Sequence, residues 1–185
     1  DSAQPMVTKA TSTYPSCKFV HDDILNMSRL TGQGEYTHIA LLYFSVYRFP
    51  DKPRLFRILH GMLAPGGKLA VHLVNRNKFD PIIPAANPLL GVSAQDYADS
   101  RLTRSRVVFT TADYVANLEV PQSGDEYVFV ETITPKSGGA PIQYRHALHM
   151  PQQKRVLADA RDVGFTLVER YDLAPVHYDH HQIYI

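Results

Sequence analysis

The chain is poor in the residues on which several common chemistries depend. It has a single cysteine, Cys17, in 185 residues, which excludes an intramolecular disulfide and fits a reducing, cytoplasmic compartment. Charge of one sign is not in excess: 19 Lys and Arg stand against 18 Asp and Glu, a net charge of +1. No electrostatic case exists for nucleic acid or for a membrane surface. No apolar run approaches the roughly 20 residues needed to cross a bilayer, and no signal peptide is visible. A Walker loop and a nucleophile elbow are missing. So are internal repeats, low-complexity segments and a Gly-rich phosphate loop. The remaining length suits one domain with a sizeable core.

Hydrophobic periodicity and turn residues divide that length. Pro5 sits in a first helical turn, where its missing N–H costs nothing, and a short helix is expected up to Thr13. Cys17 to Val20 reads as a short strand with His21-Asp22-Asp23 at its end. Met27 to Glu35 is broken by Gly32 and Gly34. Tyr36 to Phe44 reads as a buried strand. Asp51 to Met62 is an amphipathic helix with Leu55, Ile58, Leu59 and Met62 inward. Pro65-Gly66-Gly67 then turns the chain into an apolar strand, Lys68 to Val74. Strand, helix, tight turn and strand make a βαβ unit, and that implies a parallel sheet.

The pattern then changes. Arg76 to Pro88 is rich in Pro and Asn and should be extended loop. Ser93 to Arg101 reads as a short helix with Ser93 as N-cap. Val107–Val120, Glu126–Thr134 and Ile142–Met150 alternate like strands, with turn residues at Gly124 and at Gly138-Gly139. They predict an antiparallel sheet of at least three strands. Gln152 to Val163 returns to helical spacing and should be capped by Gly164. Thr166–Leu173 and Gln182–Ile185 are two last strands, the second antiparallel to its neighbours. The expected fold class is α/β, a Rossmann-like and mostly parallel sheet with an antiparallel β insert. Residues 1–75 and 151–185 should form the core and 76–150 the loop and insert.

Candidate ligand residues lie where such sheets bind, beyond the carboxyl ends of the strands. Asp1 before a helix reads as a cap. Asp22 and Asp23 read as solvated loop acids. Leu42, Tyr43 and Phe44 read as ordinary strand core. Tyr47, Arg48, His72, Asn75, His177 and Tyr178 follow strand ends and could touch a substrate or act as a base, each also being an ordinary polar residue. His180 and His181 are adjacent and point to opposite faces of a strand, so they do not share an ion easily. With no third ligand beside His177, no metal site is expected. His146 and His149 read as ordinary polar residues of the insert.

The run Leu63-Ala64-Pro65-Gly66-Gly67-Lys68-Leu69, the acidic strand ends, and Gly164-Phe165-Thr166-Leu167-Val168 before the last strands carry a resemblance. They resemble the Rossmann-like, class I S-adenosylmethionine-dependent methyltransferases over residues 1–75 and 152–185. The resemblance implies S-adenosylmethionine as cofactor and a small-molecule methyl acceptor. It implies Asp1 on the ribose hydroxyls, Asp23 and Ile24 on adenine with Asp22 where Gly is common, and Leu42–Phe44 by the methionine part. Pro65-Gly66-Gly67 would be structural. A sulfonium carries its own leaving group, so the protein supplies mainly alignment for an in-line displacement. The family's first strand lies between its second and fourth, and its Gly-rich loop is expected upstream of Asp1. The chain is therefore expected to be an N-terminally truncated form, inactive and a weak cofactor binder by itself. A dehydrogenase-like nucleotide enzyme and a non-catalytic interaction module are the alternatives.

Overall fold

The computed structural model describes residues 1–26, 34–77, 79 and 98–172, and the backbone of 182–184. Helix α1 (Gln4–Thr13) carries Pro5 in its first turn. A 3-10 turn (Ile24–Asn26) precedes β1 (Tyr36–Leu41). A second 3-10 turn (Ser45–Arg48) leads to α2 (Lys52–Met62) and straight into β2 (Leu63–Val74). Four strands follow: β3 (Arg104–Val108), β4 (Ala112–Glu119), β5 (Glu126–Pro135) and β6 (Ile142–His149). Helix α3 (Gln153–Val163) and the short strands β7 (Tyr171–Asp172) and β8 (Gln182–Tyr184) come last.

The first sheet has the order β1-β2-β8-β7. β1 and β2 run parallel, and β8 is antiparallel to both β2 and β7. The parallel pair connected through α2 is the βαβ unit that the sequence predicts. Asp51 starts α2, its side chain accepting from the Arg54 N–H at 2.9 Å, with Pro53 in the first turn. This is how a helix satisfies its orphan donors.

The Pro-Gly-Gly segment sits inside β2 rather than before it. Tyr36 pairs with Leu63 while His38 pairs with Lys68, so β2 bulges outward between them. Gly66 takes φ +77 there, and a Cβ on Gly67 would meet the Ala64 carbonyl at 2.8 Å and the Tyr36 carbonyl at 3.1 Å. Only glycine permits that approach.

The second sheet has the order β3-β4-β5-β6, antiparallel throughout. The run from Val107 to Val120 is two strands, not one. Phe109 donates to Ala112 across a tight turn at 2.9 Å, and β3 folds back on β4. One face of this sheet packs on the first layer. Leu118, Tyr127 and Leu148 share a core with Leu55, Phe56, Leu73 and Val156. β6 lies against the 3-10 turn after β1.

Four further expectations need correction. Cys17–Val20 is not a strand. No described strand runs beside it, so no ladder forms; the Val20 carbonyl accepts from the Asp1 amine instead, at 2.9 Å. β1 stops at Leu41, three residues short of Phe44, because Tyr43 and Phe44 turn left-handed. Of Thr166–Leu173 only Tyr171 and Asp172 form a strand, since β8 offers partners only at Tyr184 and Ile183. Residues 98–101 hold no helix; the rest of the helix expected from Ser93 to Arg101, and most of the 76–88 loop, lie outside the described residues. No described helix is long and apolar enough to cross a membrane.

Candidate functional site

The chain leaves β1 through a strained turn. Tyr43 and Phe44 have φ of +51 and +46, a region that is unfavourable for side chains with a Cβ and recurs at functional sites. Several contacts hold it. The Ser45 N–H donates to the Leu42 carbonyl at 3.2 Å and the Tyr47 N–H to the Phe44 carbonyl at 3.0 Å. The Phe44 N–H donates to Nδ1 of His72 at 3.3 Å. The Phe44 ring meets Phe79 edge-on at 4.8 Å. Tyr43 itself points outward and is 68% exposed, and Leu42 is also exposed.

Beneath the turn, Tyr47 is fully buried. Its hydroxyl accepts from the Val74 N–H at 3.1 Å and donates to the Val74 carbonyl at 3.3 Å. Burial pushes its pKa up to about 12, against a smaller opposing effect of the Val74 bond. A phenol so held keeps its proton at neutral pH and does not serve as a base. His72 is buried on β2 with its Nδ1 as an acceptor. Arg48 is exposed, and so is Asn75, whose Oδ1 accepts from the Asn77 N–H at 3.1 Å.

Lys52 was not singled out in the sequence, yet it is the most unusual charge among the described residues. It is 1% exposed. Its ammonium donates to the carbonyls of Phe49 at 3.0 Å and His149 at 2.7 Å, and lies 3.2 Å from His149 Nδ1 and 5.5 Å from the Tyr47 ring centre. Burial lowers its pKa to about 8, although Asp159, Asp125 and Glu126 pull it back upward. The signal was present: Lys52 precedes Leu55, Phe56 and Leu59 at three, four and seven residues, on the apolar face of α2. It pins the β1 exit and the start of α2 to the end of β6.

A cleft of about 470 Å³ runs along the first half of β1, lined by Asp1, Val20, Asp22, Ile24 and Ile39. Asp1 Oδ1 accepts from the Ala3 N–H at 2.8 Å, capping α1, and the Asp22 N–H donates to the Asp1 carbonyl at 3.0 Å. Asp23 and Tyr43 are not among the lining residues. The Asp23 carboxylate faces its own turn, accepting from the Leu25 N–H at 3.0 Å. The structure thus brings Asp1, Asp22 and Ile24 together and puts Leu42–Phe44 at the far end of β1. His177 and Tyr178 lie outside the described residues.

A larger apolar cavity of about 940 Å³ separates β2 from residues 164–171. It holds none of the candidate residues. β8 pairs with β2 only at His72–Val74, which leaves the rest of that edge open among the described residues. We read this cavity as a gap in the sheet, not as the site.

On the second sheet the Tyr114 hydroxyl donates to Glu131 Oε1 at 2.7 Å, and His146 Nε2 lies 2.9 Å from Oε2. His146 stacks on Phe129. Burial and the Glu131 carboxylate hold the Tyr114 pKa well above its ordinary value. Sequence reading missed this network, because cross-strand register is not visible in a single sequence. Among the described residues no three His, Cys, Asp or Glu gather as metal ligands would.

No protein-family model matches the chain, and no curated protein matches it. Solved structures do. The CcbJ methyltransferase from Streptomyces caelestis superposes with a TM-score of 0.72 at 15% identity, over 100% of this chain and 70% of that one. An S-adenosylmethionine-dependent methyltransferase from Clostridium acetobutylicum does so with 0.70 at 12% identity, over 100% and 71%. The S-adenosylmethionine-bound CalS10, an amino pentose methyltransferase from Micromonospora echinaspora, gives 0.60 at 14%, over 98% and 70%. Identities this low speak for architecture alone, and the architecture of this chain is the Rossmann-like fold of the class I S-adenosylmethionine-dependent methyltransferases.

Proposed function

We propose that the chain belongs to a methyltransferase that takes a methyl group from S-adenosylmethionine and delivers it to a small molecule. The observation that carries this reading is the strand order β1-β2-β8-β7 with β8 reversed, in a fold shared along the whole chain with the CcbJ methyltransferase. Neighbours described as a sugar N-methyltransferase and an amino pentose methyltransferase support a small, polar acceptor. The near-neutral charge speaks against nucleic acid and anionic membrane as targets. A reducing, cytoplasmic setting suits the lone exposed Cys17.

The donor set fits the adenosine part of the cofactor. Asp1 and Asp22 border one cleft with the apolar Ile24 and Ile39, and a carboxylate that gives one lone pair to a backbone N–H retains others for hydroxyl or amine donors. Asp1 would accept from ribose. Asp23, with Ile24, would take adenine, and Leu42, Tyr43 and Phe44 would approach the methionine part at the carboxyl end of β1. When bound, the cofactor supplies an activated methyl group on a sulfonium. The chain's task is alignment: Tyr47 and His72 brace the exit turn, and the second sheet closes over it. Arg48, Asn75, His177 and Tyr178 are the remaining candidates for contact with the acceptor. The backbone cradle expected from a Gly-rich loop is not among residues 1–185.

Calorimetry with S-adenosylhomocysteine on the natural protein tests the reading. Asp23→Ala should weaken binding by about 1–3 kcal/mol, the cost of a lost charge-assisted hydrogen bond. No binding by the unaltered protein would refute the methyltransferase reading. Unchanged affinity in the variant would leave Asp23 as a turn cap.

A further inference from the structure

We infer that His72 is a positioning residue. Its neutral ring holds the left-handed Tyr43–Phe44 turn in shape, and protonation releases that turn and weakens cofactor binding. This rests on the methyltransferase reading above. The turn is where the parallel strand β1 ends, and open parallel sheets bind ligands beyond such ends. Two successive residues with side chains at positive φ persist only where their surroundings over-determine them. The Phe44 N–H is the one backbone donor of this turn given to a side chain from another strand, His72 Nδ1 at 3.3 Å. His72 is 28 residues away in sequence and 2% exposed. An imidazole nitrogen that accepts from an N–H is unprotonated, so the proton of the neutral ring is on Nε2. A second proton would go to Nδ1. It would face the Phe44 N–H, turning an attraction between acceptor and donor into a repulsion between two donors.

Among the described residues, the charged and titratable groups on the packed elements have these bonds. Tyr47 on the 3-10 turn bonds Val74. Lys52 at the start of α2 bonds Phe49 and His149, and His149 on β6 also faces Glu126 at 3.6 Å. Arg76, just past β2, pairs with Asp125. Arg48 is exposed. Across β8, Tyr184 pairs in register with His72. Among the described residues, His72 is the group whose charge change would act directly on the Phe44 N–H.

Two variants separate this role from that of a base or a mere packing residue. Asn places an oxygen acceptor where Nδ1 stands and does not titrate. Leu removes the acceptor. Binding of S-adenosylhomocysteine, followed from about pH 8 to about pH 5 across the imidazole range, should weaken about 3- to 10-fold in the unaltered protein, the worth of one neutral hydrogen bond. His72→Asn should bind as at high pH throughout. His72→Leu should bind weakly throughout. Amide exchange at Phe44, read without cofactor, should accelerate beyond the intrinsic pH trend as the unaltered protein is acidified, and should not do so in His72→Asn. The inference is overturned if the unaltered protein binds equally well at both ends of that range, if His72→Asn keeps the full pH dependence, or if His72→Leu binds as the unaltered protein does. If the unaltered protein binds no S-adenosylhomocysteine at any pH, the methyltransferase reading fails, and the Phe44 exchange rate still decides whether the clamp exists.

Discussion

Replacing Lys52 by Met should change how stability depends on pH, and the sign follows from burial. In the folded chain the Lys52 pKa falls from 10.5 to about 8, with burial as the main cause. Between those values the folded state binds fewer protons than the unfolded state. Stability therefore rises with pH across that window. Below about pH 8 the buried ammonium imposes its full cost, and above about pH 10.5 the cost is gone. The shift corresponds to at most about 3 kcal/mol. Met keeps the aliphatic stem and removes the titrating group. Urea unfolding of both proteins at several pH values from about 7.5 to 10.5 isolates the effect, because every other alkaline group is common to the two. The unaltered protein should gain up to about 3 kcal/mol relative to Lys52→Met over that range. Parallel profiles would mean that Lys52 is hydrated in solution and that its bonds to Phe49 and His149 do not hold β6 to α2.

Other perturbations test other joints. Gly67→Ala pushes a Cβ to 2.8 Å from the Ala64 carbonyl and should cost about 1–3 kcal/mol of stability; an unchanged melting temperature would show that the β2 bulge relaxes freely. Tyr47→Phe removes both bonds to Val74 and should cost about 1–2 kcal/mol in urea unfolding, while a loss of methyl transfer with stability unchanged would make its hydroxyl a catalytic group. Glu131→Gln should let Tyr114 ionise at lower pH, read from phenolate absorbance, because the neighbouring carboxylate helps raise its pKa; an unmoved titration would assign the shift to burial alone.

The amino-acid order by itself determined the elements whose signals are local. Asp51 and Pro53 start α2, and Gly164 ends α3. The turns at Gly124 and Gly138-Gly139 separate the strands of the second sheet, because turn chemistry and a period of two are written in neighbouring residues. The Pro-Gly-Gly motif, the acidic residues after strand-like runs and the Gly164-Phe165 junction pointed to the fold. Only the tertiary structure decided the rest. Cys17–Val20 has strand composition, yet a strand needs a partner beside it, and none is described there. The break at Phe109–Thr111 lacks glycine and appears only through the β3–β4 pairing. Asp1 and Asp22 meet because residues 21 apart bond across their backbones. Lys52 reads as a surface charge until β6 covers it. His72 looked like a candidate base until the left-handed turn at Phe44 gave its ring an N–H to hold. Local patterns fix which element a residue belongs to, but the neighbour that sets its charge and its task comes from a distant part of the chain.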